Sequence, residues 1–341
     1  MKIGVPRALM YQYYYPFWLK LFRELGFEVV VSDRTTKALV QPGITATVAE
    51  ICLPIKIYNA HVINLMEKGV DYIFVPRLTG IEKNFWCCPK YIGLPELVQN
   101  SLHIDTVTAE VWVKNEDISG IAPYLSICKK LNIPVSKMKK AVKAADAEWK
   151  AFRAICEQGF TISEADAIFY DGVPKERFMY RENPVTIGVL GYVYNVYDPF
   201  ISMDVVGKVR KMGANVVTFD MLSHKKITKY RPKTDRLIYW TFTDKLYQAA
   251  HYMLEDMKVD GLMHVTAFGC GPDSVVGKKI EVDFAGYGKP FMTLRVDEHT
   301  GENHMQTRVE AFVDMIKRKK AQEVPEYAKN SFSLHGVRDR V

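Results

Sequence analysis

The chain has 341 residues, 48% of them hydrophobic, which is enough for two buried cores. The net charge of +7 is modest and spread along the sequence, so it indicates neither a nucleic-acid partner nor a charged disordered arm. No apolar segment reaches membrane-spanning length and the N-terminus has no signal-peptide pattern, so we expect a cytoplasmic protein without a membrane partner.

The two halves of the chain repeat one pattern of strands and helices. In each half, a short apolar strand is followed by aromatic residues, a Pro-Phe pair and a helical pattern that ends in glycine. A second strand then ends in aspartate, and a third precedes a loop that carries cysteine. The matching strands are 3–5 with 187–189, 29–31 with 216–219, and 70–75 with 259–265. Short apolar strands that alternate with amphipathic helices predict parallel α/β sheets.

This repeat predicts two Rossmann-like α/β domains joined by a helical connector. We place the N-terminal domain at residues 1–116 and the C-terminal domain at 184–330. Residues 117–183 are rich in Lys, Ala and Glu with helical periodicity, and form the expected connector. Open parallel sheets bind ligands beyond the carboxyl ends of their strands, and the cysteine loops of both halves leave from that end. The two domains are therefore expected to face each other across one shared site.

Three of the six cysteines, Cys52, Cys88 and Cys270, have a proline one or two residues downstream. Proline is best tolerated in the first turn of a helix, so each cysteine is predicted to lie at a helix N-terminus. Unpaired backbone N–H groups and the positive end of the helix dipole favour the thiolate there, and thiolate is the metal-binding form. Six cysteines in a chain of this length do not resemble a secreted disulfide framework, so ligand or catalytic roles are favoured.

The spacing of these cysteines favours one kind of metal site over others. The chain has no paired C-x-x-C set for structural zinc and no compact ferredoxin run. Three thiolates that converge from separate loops suit a [4Fe–4S] cluster in the cleft between the domains, with one iron left open. Buried structural cysteines without any metal are the alternative.

The remaining cysteines lie in different settings. Of the adjacent pair Cys87 and Cys88, the proline register favours Cys88 as the ligand; a fourth ligand or a thiol close to the cluster is the alternative for Cys87. Cys128 and Cys156 lie inside helical patterns without proline or glycine, which favours packing roles.

A second polar group follows the strand pattern at 290–294. Glu298 and His299 are candidate catalytic residues, for moving protons or hydrogen-bonding a cluster ligand; structural contacts in a surface loop are the alternative.

The sequence does not indicate a nucleotide-binding site. The segment 271–279 has five residues between its glycines where a P-loop has four, and Lys279 stands where Ser or Thr is needed. The first strand is not followed by the glycines of a dinucleotide fingerprint.

Six short motifs together resemble a known family. They are GVPR at 4–7, EICLPIK at 50–56, CPKYIGLP at 88–95, YNVYDP at 194–199, FGCGPDS at 268–274 and DEHTGE at 297–302. The chain resembles the acyl-CoA dehydratase activase-related family, a relative of 2-hydroxyacyl-CoA dehydratase subunits and double-cubane cluster proteins. The resemblance covers nearly the whole chain.

The resemblance implies an oxygen-sensitive iron–sulfur protein of anaerobic metabolism. Dehydratase relatives hold a [4Fe–4S] cluster through three cysteines between two flavodoxin-like domains, and receive low-potential electrons from an ATP-hydrolysing iron–sulfur activator. Carried over by motif, the ligands here are Cys52, Cys88 and Cys270. The chain falls short of the six ligating cysteines of a double cubane unless Cys87, Cys128 and Cys156 all join, so a single cubane is expected. Relatives also suggest a homodimer.

Three functions follow as hypotheses. The first is an electron acceptor or reductase component that is fed by the ATP-dependent activator and passes the electron to a small-molecule substrate. The second is a 2-hydroxyacyl-CoA dehydratase-like lyase. The third is a non-enzymatic carrier of clusters or electrons. Turnover with activator, ATP and reductant separates the first two from the third, and binding of a CoA ester separates the second from the first.

Overall fold

A computed structural model describes residues 1–80, 85–112, 118–178, 185–231 and 239–332 of the chain. The first part contains, in chain order, β1 (Lys2–Val5), α1 (Tyr11–Glu24), β2 (Glu28–Val31), α2 (Lys37–Thr45), α3 (Leu53–Glu67), β3 (Tyr72–Phe74), β4 (Arg77–Gly80), α4 (Pro89–Ile92), α5 (Leu94–Leu102), β5 (Thr106–Val107) and β6 (Glu110–Trp112). The middle part contains α6 (Leu125–Lys130), α7 (Val135–Cys156) and α8 (Ile162–Tyr170).

The last part contains, in chain order, β7 (Thr186–Leu190), α9 (Val193–Tyr197), α10 (Pro199–Ser202), α11 (Val205–Lys211), β8 (Asn215–Thr218), α12 (His224–Ile227), α13 (Thr241–Glu255), β9 (Gly261–Ala267), α14 (Gly271–Gly286), β10 (Phe291–Val296) and α15 (Glu302–Phe332). No helix in these described ranges is both long enough and apolar enough to cross a membrane.

Each half of the chain is built around a four-stranded parallel sheet, which confirms the predicted α/β class. The strand order is β2-β1-β3-β5 in the first sheet and β8-β7-β9-β10 in the second. Every strand pair in both sheets is parallel. In each sheet the first strand of the half therefore lies between the second and third, so the two halves share this strand order. The short strands β4 and β6 form a separate parallel pair.

The glycine shared by the two Ile-Gly-Val strands occupies an equivalent, crowded position in each sheet. A Cβ atom at Gly188 would lie 2.5 Å from Leu262 Cδ1. At Gly4 it would lie 3.1 Å from Leu65 Cδ1. These glycines let neighbouring side chains pack closely against the central strand. The repeat seen in the sequence thus corresponds to a repeated packing requirement.

The middle helices contact both halves of the molecule. Helix α7 packs on α1, where the indole Nε1 of Trp149 donates to the carbonyl oxygen of Tyr13 at 3.0 Å. Farther along α7, the buried guanidinium of Arg153 donates to the carbonyl oxygen of Asp220, which follows β8. In α8, the carboxylate of Glu164 pairs with Arg210 of α11 at 2.5 Å. The segment that joins the sheets is therefore packed against both halves of the chain.

Close packing of α2 on α3 gives a stability prediction. A Cβ atom at Gly43 would lie 2.2 Å from the carbonyl oxygen of Lys56 and 2.6 Å from the backbone nitrogen of Ala60. Because both obstacles are backbone atoms, Gly43→Ala must push the helices apart, and we expect it to lower the free energy of unfolding by about 3 kcal/mol. Urea denaturation measures the change.

A matched control for this substitution is Gly286→Ala in α14. A Cβ atom there meets no atom within 4 Å. Alanine is a better helix former than glycine, so this variant is expected to be neutral or stabilised by up to about 1 kcal/mol. Equal losses in the two variants would contradict the packing argument.

Candidate metal centre

The three cysteines followed by proline are each the N-cap residue of a helix. Cys52 precedes α3, Cys88 precedes α4 and Cys270 precedes α14, with proline at the first or second helical position in every case. The local structure predicted from the proline spacing is thus confirmed. Two of these helices belong to the first half of the chain and the third to the second half.

These cysteines line one cavity between the halves. The cavity holds about 520 Å³, including the part that opens to solvent. Its lining residues are Leu9, Cys52, Pro54, Ile55, Cys87, Cys88, Lys90, Tyr91, Tyr192, Tyr194, Asn195, Trp240, Phe242, Ala267, Cys270 and Pro272. The Cys270 loop lies close to the Cys52 loop, since a Cβ atom built on Gly269 would be 3.8 Å from Cys52 Cα. Gly269 has a φ of +78°, a conformation that glycine adopts without strain.

Burial controls the protonation of the three thiols. Desolvation raises the pKa of Cys52, Cys88 and Cys270, and it is the largest effect at each. Backbone N–H groups of the following helical turns act in the opposite direction, although none makes a capping hydrogen bond to sulfur. The helix N-termini therefore act in favour of the thiolate as expected, but burial has the larger and opposite effect on each pKa. The thiolate is the form of cysteine that binds a metal.

Cys87 is the fourth cysteine in the cavity wall. It is buried, and its backbone N–H donates to the carbonyl oxygen of Thr79 at 2.8 Å. Burial raises the pKa of its thiol and Cys88 adds to the rise, while Lys245 lowers it. Cys128 and Cys156 are also buried, but they are not among the residues that line this cavity.

In the described part of the chain, no group of three His, Cys, Asp or Glu side chains is placed to hold one metal ion. The chemistry of the donors nevertheless fits an iron–sulfur cluster. The donors at the cavity are sulfur atoms, which suit soft metals and clusters. The surrounding walls are largely apolar, which limits water at the site.

Aromatic side chains form much of the cavity wall, and sequence reasoning did not assign them to it. Tyr91, Tyr192, Tyr194 and Phe242 lie in mutual ring contact, with centroids 5.5 to 6.3 Å apart. Asn195 lies beside them, fully buried, with its Oδ1 lacking a hydrogen-bond partner among the described residues. Among the sequence motifs, YNVYDP contains Tyr194 and Asn195, and CPKYIGLP contains Tyr91.

A backbone bridge fixes the Cys87–Cys88 loop to the second half. The N–H of Trp86 donates to the carbonyl oxygen of Tyr239 at 3.2 Å, and the N–H of Thr241 donates to the carbonyl oxygen of Trp86 at 3.0 Å. Trp86 and Trp240 thus form a short parallel bridge. The bridge holds the Cys88 loop against the start of α13.

A buried hydrogen-bond network joins the halves at a second place. Thr35 Oγ1 donates to Asp198 Oδ2 at 2.5 Å and lies 3.0 Å from His61 Nε2. His61 Nδ1 lies 2.8 Å from Ser32 Oγ, which also accepts the backbone N–H of Arg7. Since Thr35 donates to the carboxylate, its oxygen accepts the Nε2–H of His61, and Ser32 donates to His61 Nδ1. Every bond in the network is then accounted for.

The candidate catalytic residues lie outside the cavity wall. Glu298 Oε1 pairs with Lys56 Nζ at 2.7 Å, which links the loop after β10 to the first turns of α3. That hydrogen bond lowers the pKa of the Glu298 carboxyl, so the group is ionised near neutral pH. His299 is exposed, and its backbone N–H donates to Asp297 Oδ1 at 2.9 Å. The ion pair thus connects the two halves of the chain, and its Lys56 lies four residues after Cys52.

Comparison with known proteins assigns the family. Residues 2–222 match the family described as the CoA enzyme activase uncharacterised domain, and residues 199–316 match the 2-hydroxyglutaryl-CoA dehydratase D-component. The chain belongs to the CoA enzyme activase uncharacterised-domain family. The match confirms the family resemblance and supports a dehydratase-like component of the 2-hydroxyacyl-CoA dehydratase family.

Other comparisons add little to this assignment. No curated protein matches the chain. One solved structure, a proposed phosphosugar isomerase from Silicibacter pomeroyi DSS-3, is 9% identical and aligns over 95% of this chain and 87% of that one. Its TM-score is 0.20, which is too low to indicate a shared fold.

The ion pair of Glu298 gives a second stability prediction. Glu298→Gln removes the charge that compensates the buried ammonium of Lys56, and we expect a loss of about 2 kcal/mol at pH 7. Because the pKa of Glu298 is lowered in the folded chain, this contribution is present above pH 4.5 and is lost as the pH falls below it. The difference in free energy of unfolding between wild type and variant, measured by urea denaturation, is therefore expected to become smaller in acid.

The surface pair of Lys278 with Glu281 supplies the control. Glu281→Gln removes an exposed ion pair and is expected to change stability by less than about 0.5 kcal/mol. A Glu298→Gln variant as stable as wild type but without turnover would instead favour a catalytic role for Glu298.

Proposed function

We propose that this chain holds a [4Fe–4S] cluster and acts as a low-potential electron acceptor or reductase component fed by an ATP-dependent activator. The observation that carries the proposal is the convergence of Cys52, Cys88 and Cys270 from both halves of the chain on one cavity. Three thiolates are one fewer than the four of a fully cysteine-ligated cluster, which leaves one iron for a substrate. The family matches support an activator as the partner.

The residues that line the cavity would have different roles at this site. Cys52, Cys88 and Cys270 would bind the cluster, which supplies one-electron transfer and a Lewis-acidic iron when bound. The aromatic wall would exclude water from the reacting group. Lys90 is half-buried in the lining and offers a positive charge to an anionic group, and the amide of Asn195 offers a hydrogen bond.

The test is ATP-dependent reduction. The anaerobically prepared protein is mixed with the ATP-hydrolysing activator of a 2-hydroxyacyl-CoA dehydratase system and dithionite, and the reduced cluster is followed by EPR. The expected result is a reduced signal that needs both activator and ATP, and that is absent from Cys270→Ala. Equal reduction with and without ATP would contradict the role of an activator-fed acceptor.

A dehydratase-like lyase is the second candidate, and the D-component match over 199–316 favours it. This function requires elimination of water from a 2-hydroxyacyl-CoA ester. Adding 2-hydroxyglutaryl-CoA to the activated protein separates the candidates: an unsaturated CoA ester supports the lyase. An activated protein that stays reduced with the ester unchanged supports the first proposal.

A further inference from the structure

A histidine–aspartate pair lies buried beside the Cys270 loop. His264 in the centre of β9 and Asp273 in the first turn of α14 are 1% and 0% exposed. His264 Nε2 lies 2.9 Å from Asp273 Oδ1. Asp273 follows Cys270 by three residues, in the first turn of the helix that this proposed cluster ligand caps.

A glycine in α14 leaves the space that this pair occupies. A Cβ atom at Gly277, one turn after Asp273 in α14, would lie 2.5 Å from His264 Cε1 and 2.6 Å from Nδ1. Only glycine therefore lets the imidazole lie between β9 and α14. The other polar atoms, His264 Nδ1 and Asp273 Oδ2, have no hydrogen-bond partner among the described residues. The two side chains thus interact with each other and with little else.

A buried carboxylate is costly unless it is compensated. At Asp273 the compensation comes from the hydrogen bond of His264 and from the N-terminal end of the 16-residue helix α14. Asp273 is the third residue of α14, and Cys270 is the N-cap residue of the same helix. One helical turn spans about 5.4 Å, which places the carboxylate near the sulfur that would ligate iron.

We propose that Asp273, oriented by the positioning residue His264, places a negative charge beside Cys270 and lowers the reduction potential of the cluster. The inference rests on the proposed function, since it requires a cluster at Cys52, Cys88 and Cys270. Adding an electron next to a fixed negative charge is unfavourable, and charges and hydrogen bonds around the sulfurs set cluster potentials. The pair would suit a protein that works at low potential.

The experiment is an EPR-monitored redox titration of iron-loaded wild type and Asp273→Asn. Asparagine can still accept the hydrogen bond of His264 but carries no charge. At a fixed ambient potential we expect the ratio of reduced to oxidised cluster to rise about tenfold, which is 59 mV for a one-electron couple. Asp283→Asn is the control: it removes the same charge from the same helix about 15 Å farther along the axis, and is expected to leave the potential unchanged.

Two further variants keep the result decisive. Asp273→Glu retains the charge and is expected to keep a low potential. His264→Phe keeps the ring but removes its N–H, so the carboxylate loses its hydrogen-bond donor and can turn away from Cys270; the potential is expected to rise.

The outcomes separate this inference from the proposed function. Loaded Asp273→Asn with an unchanged potential would overturn the inference alone. Loss of the cluster in both Asp273→Asn and His264→Phe would also overturn it, because the pair would then serve assembly rather than tuning. Wild-type protein without iron would overturn the proposed function itself, and this inference with it.

Discussion

Alanine in place of Cys52, Cys88 or Cys270 is expected to reduce the iron content of anaerobically prepared protein from about four atoms per chain to near zero. Each of these residues lines the shared cavity, and each comes from a different loop. A cluster held by three thiolates loses a third of its protein ligands when one is removed, so no single ligand is dispensable. Iron and acid-labile sulfide are measured on each variant, with circular dichroism to show that the fold is kept.

Two other cysteine variants sharpen this test. Cys128→Ala changes a buried thiol outside the cavity, and is expected to retain full iron. Cys87→Ala decides the role of the fourth cysteine in the wall: full iron would show that three thiolates suffice, and loss would make Cys87 a ligand. Equal iron in Cys128→Ala and the three ligand variants would contradict the assignment of the site.

Substitution in the network around Thr35 is expected to lower the free energy of unfolding as much as Gly43→Ala does. Thr35→Val keeps the shape of the side chain but leaves Asp198 Oδ2 and the Nε2–H of His61 without their partner. Both residues are buried, so each unsatisfied group costs about 1–3 kcal/mol, and we expect a total loss of about 3 kcal/mol. Urea denaturation of the metal-free protein measures it. Thr307→Val changes an exposed threonine of α15, and a loss of the same size there would contradict the explanation.

The same network predicts an unusual dependence of stability on pH. Burial lowers the pKa of His61 to about 3, so its contribution is lost as the pH falls from 6.5 towards 3. Burial raises the pKa of Asp198 to about 6, so its contribution is lost as the pH rises from 3.8 towards 6. Between about pH 4 and 6 the two effects oppose each other, and their sum is expected to be nearly flat.

Asp198→Asn separates the two groups. Asparagine is accommodated if every hydrogen bond in the network reverses, with the amide donating to Thr35, Thr35 donating to His61, and His61 donating to Ser32. Only the histidine contribution then remains. Relative to wild type, the free energy of unfolding of the variant is expected to fall by about 1.4 kcal/mol per pH unit on acidification from pH 6 to 4. A constant difference between the two proteins across this range would contradict the assignment.

The sequence was informative where local rules act. Proline after Cys52, Cys88 and Cys270 predicted three helix starts because proline suits the first turn whatever the rest of the fold does. The alternation of short apolar strands with amphipathic helices predicted parallel sheets because a helical crossover returns the chain to start the next strand in the same direction.

The features that sequence reasoning missed depend on tertiary structure. Trp240 and Phe242 reach the cavity only because the bridge at Trp86 brings the start of α13 to it. Lys56 and Glu298 are 242 residues apart, and neither local sequence indicates that the two side chains form an ion pair. Burial of the three thiols is another such feature: the effect of a helix N-terminus on a thiol pKa is local, whereas the burial that outweighs it comes from packing of both halves.

The most direct test of the central claim is metal analysis of the wild-type chain. The protein is purified without oxygen, its iron and acid-labile sulfide are quantified, and its ultraviolet–visible absorption spectrum is recorded. The account predicts about four irons and about four sulfides per chain, with the broad visible absorption of a [4Fe–4S] cluster. Folded protein without iron, even after reconstitution with iron and sulfide, would contradict it.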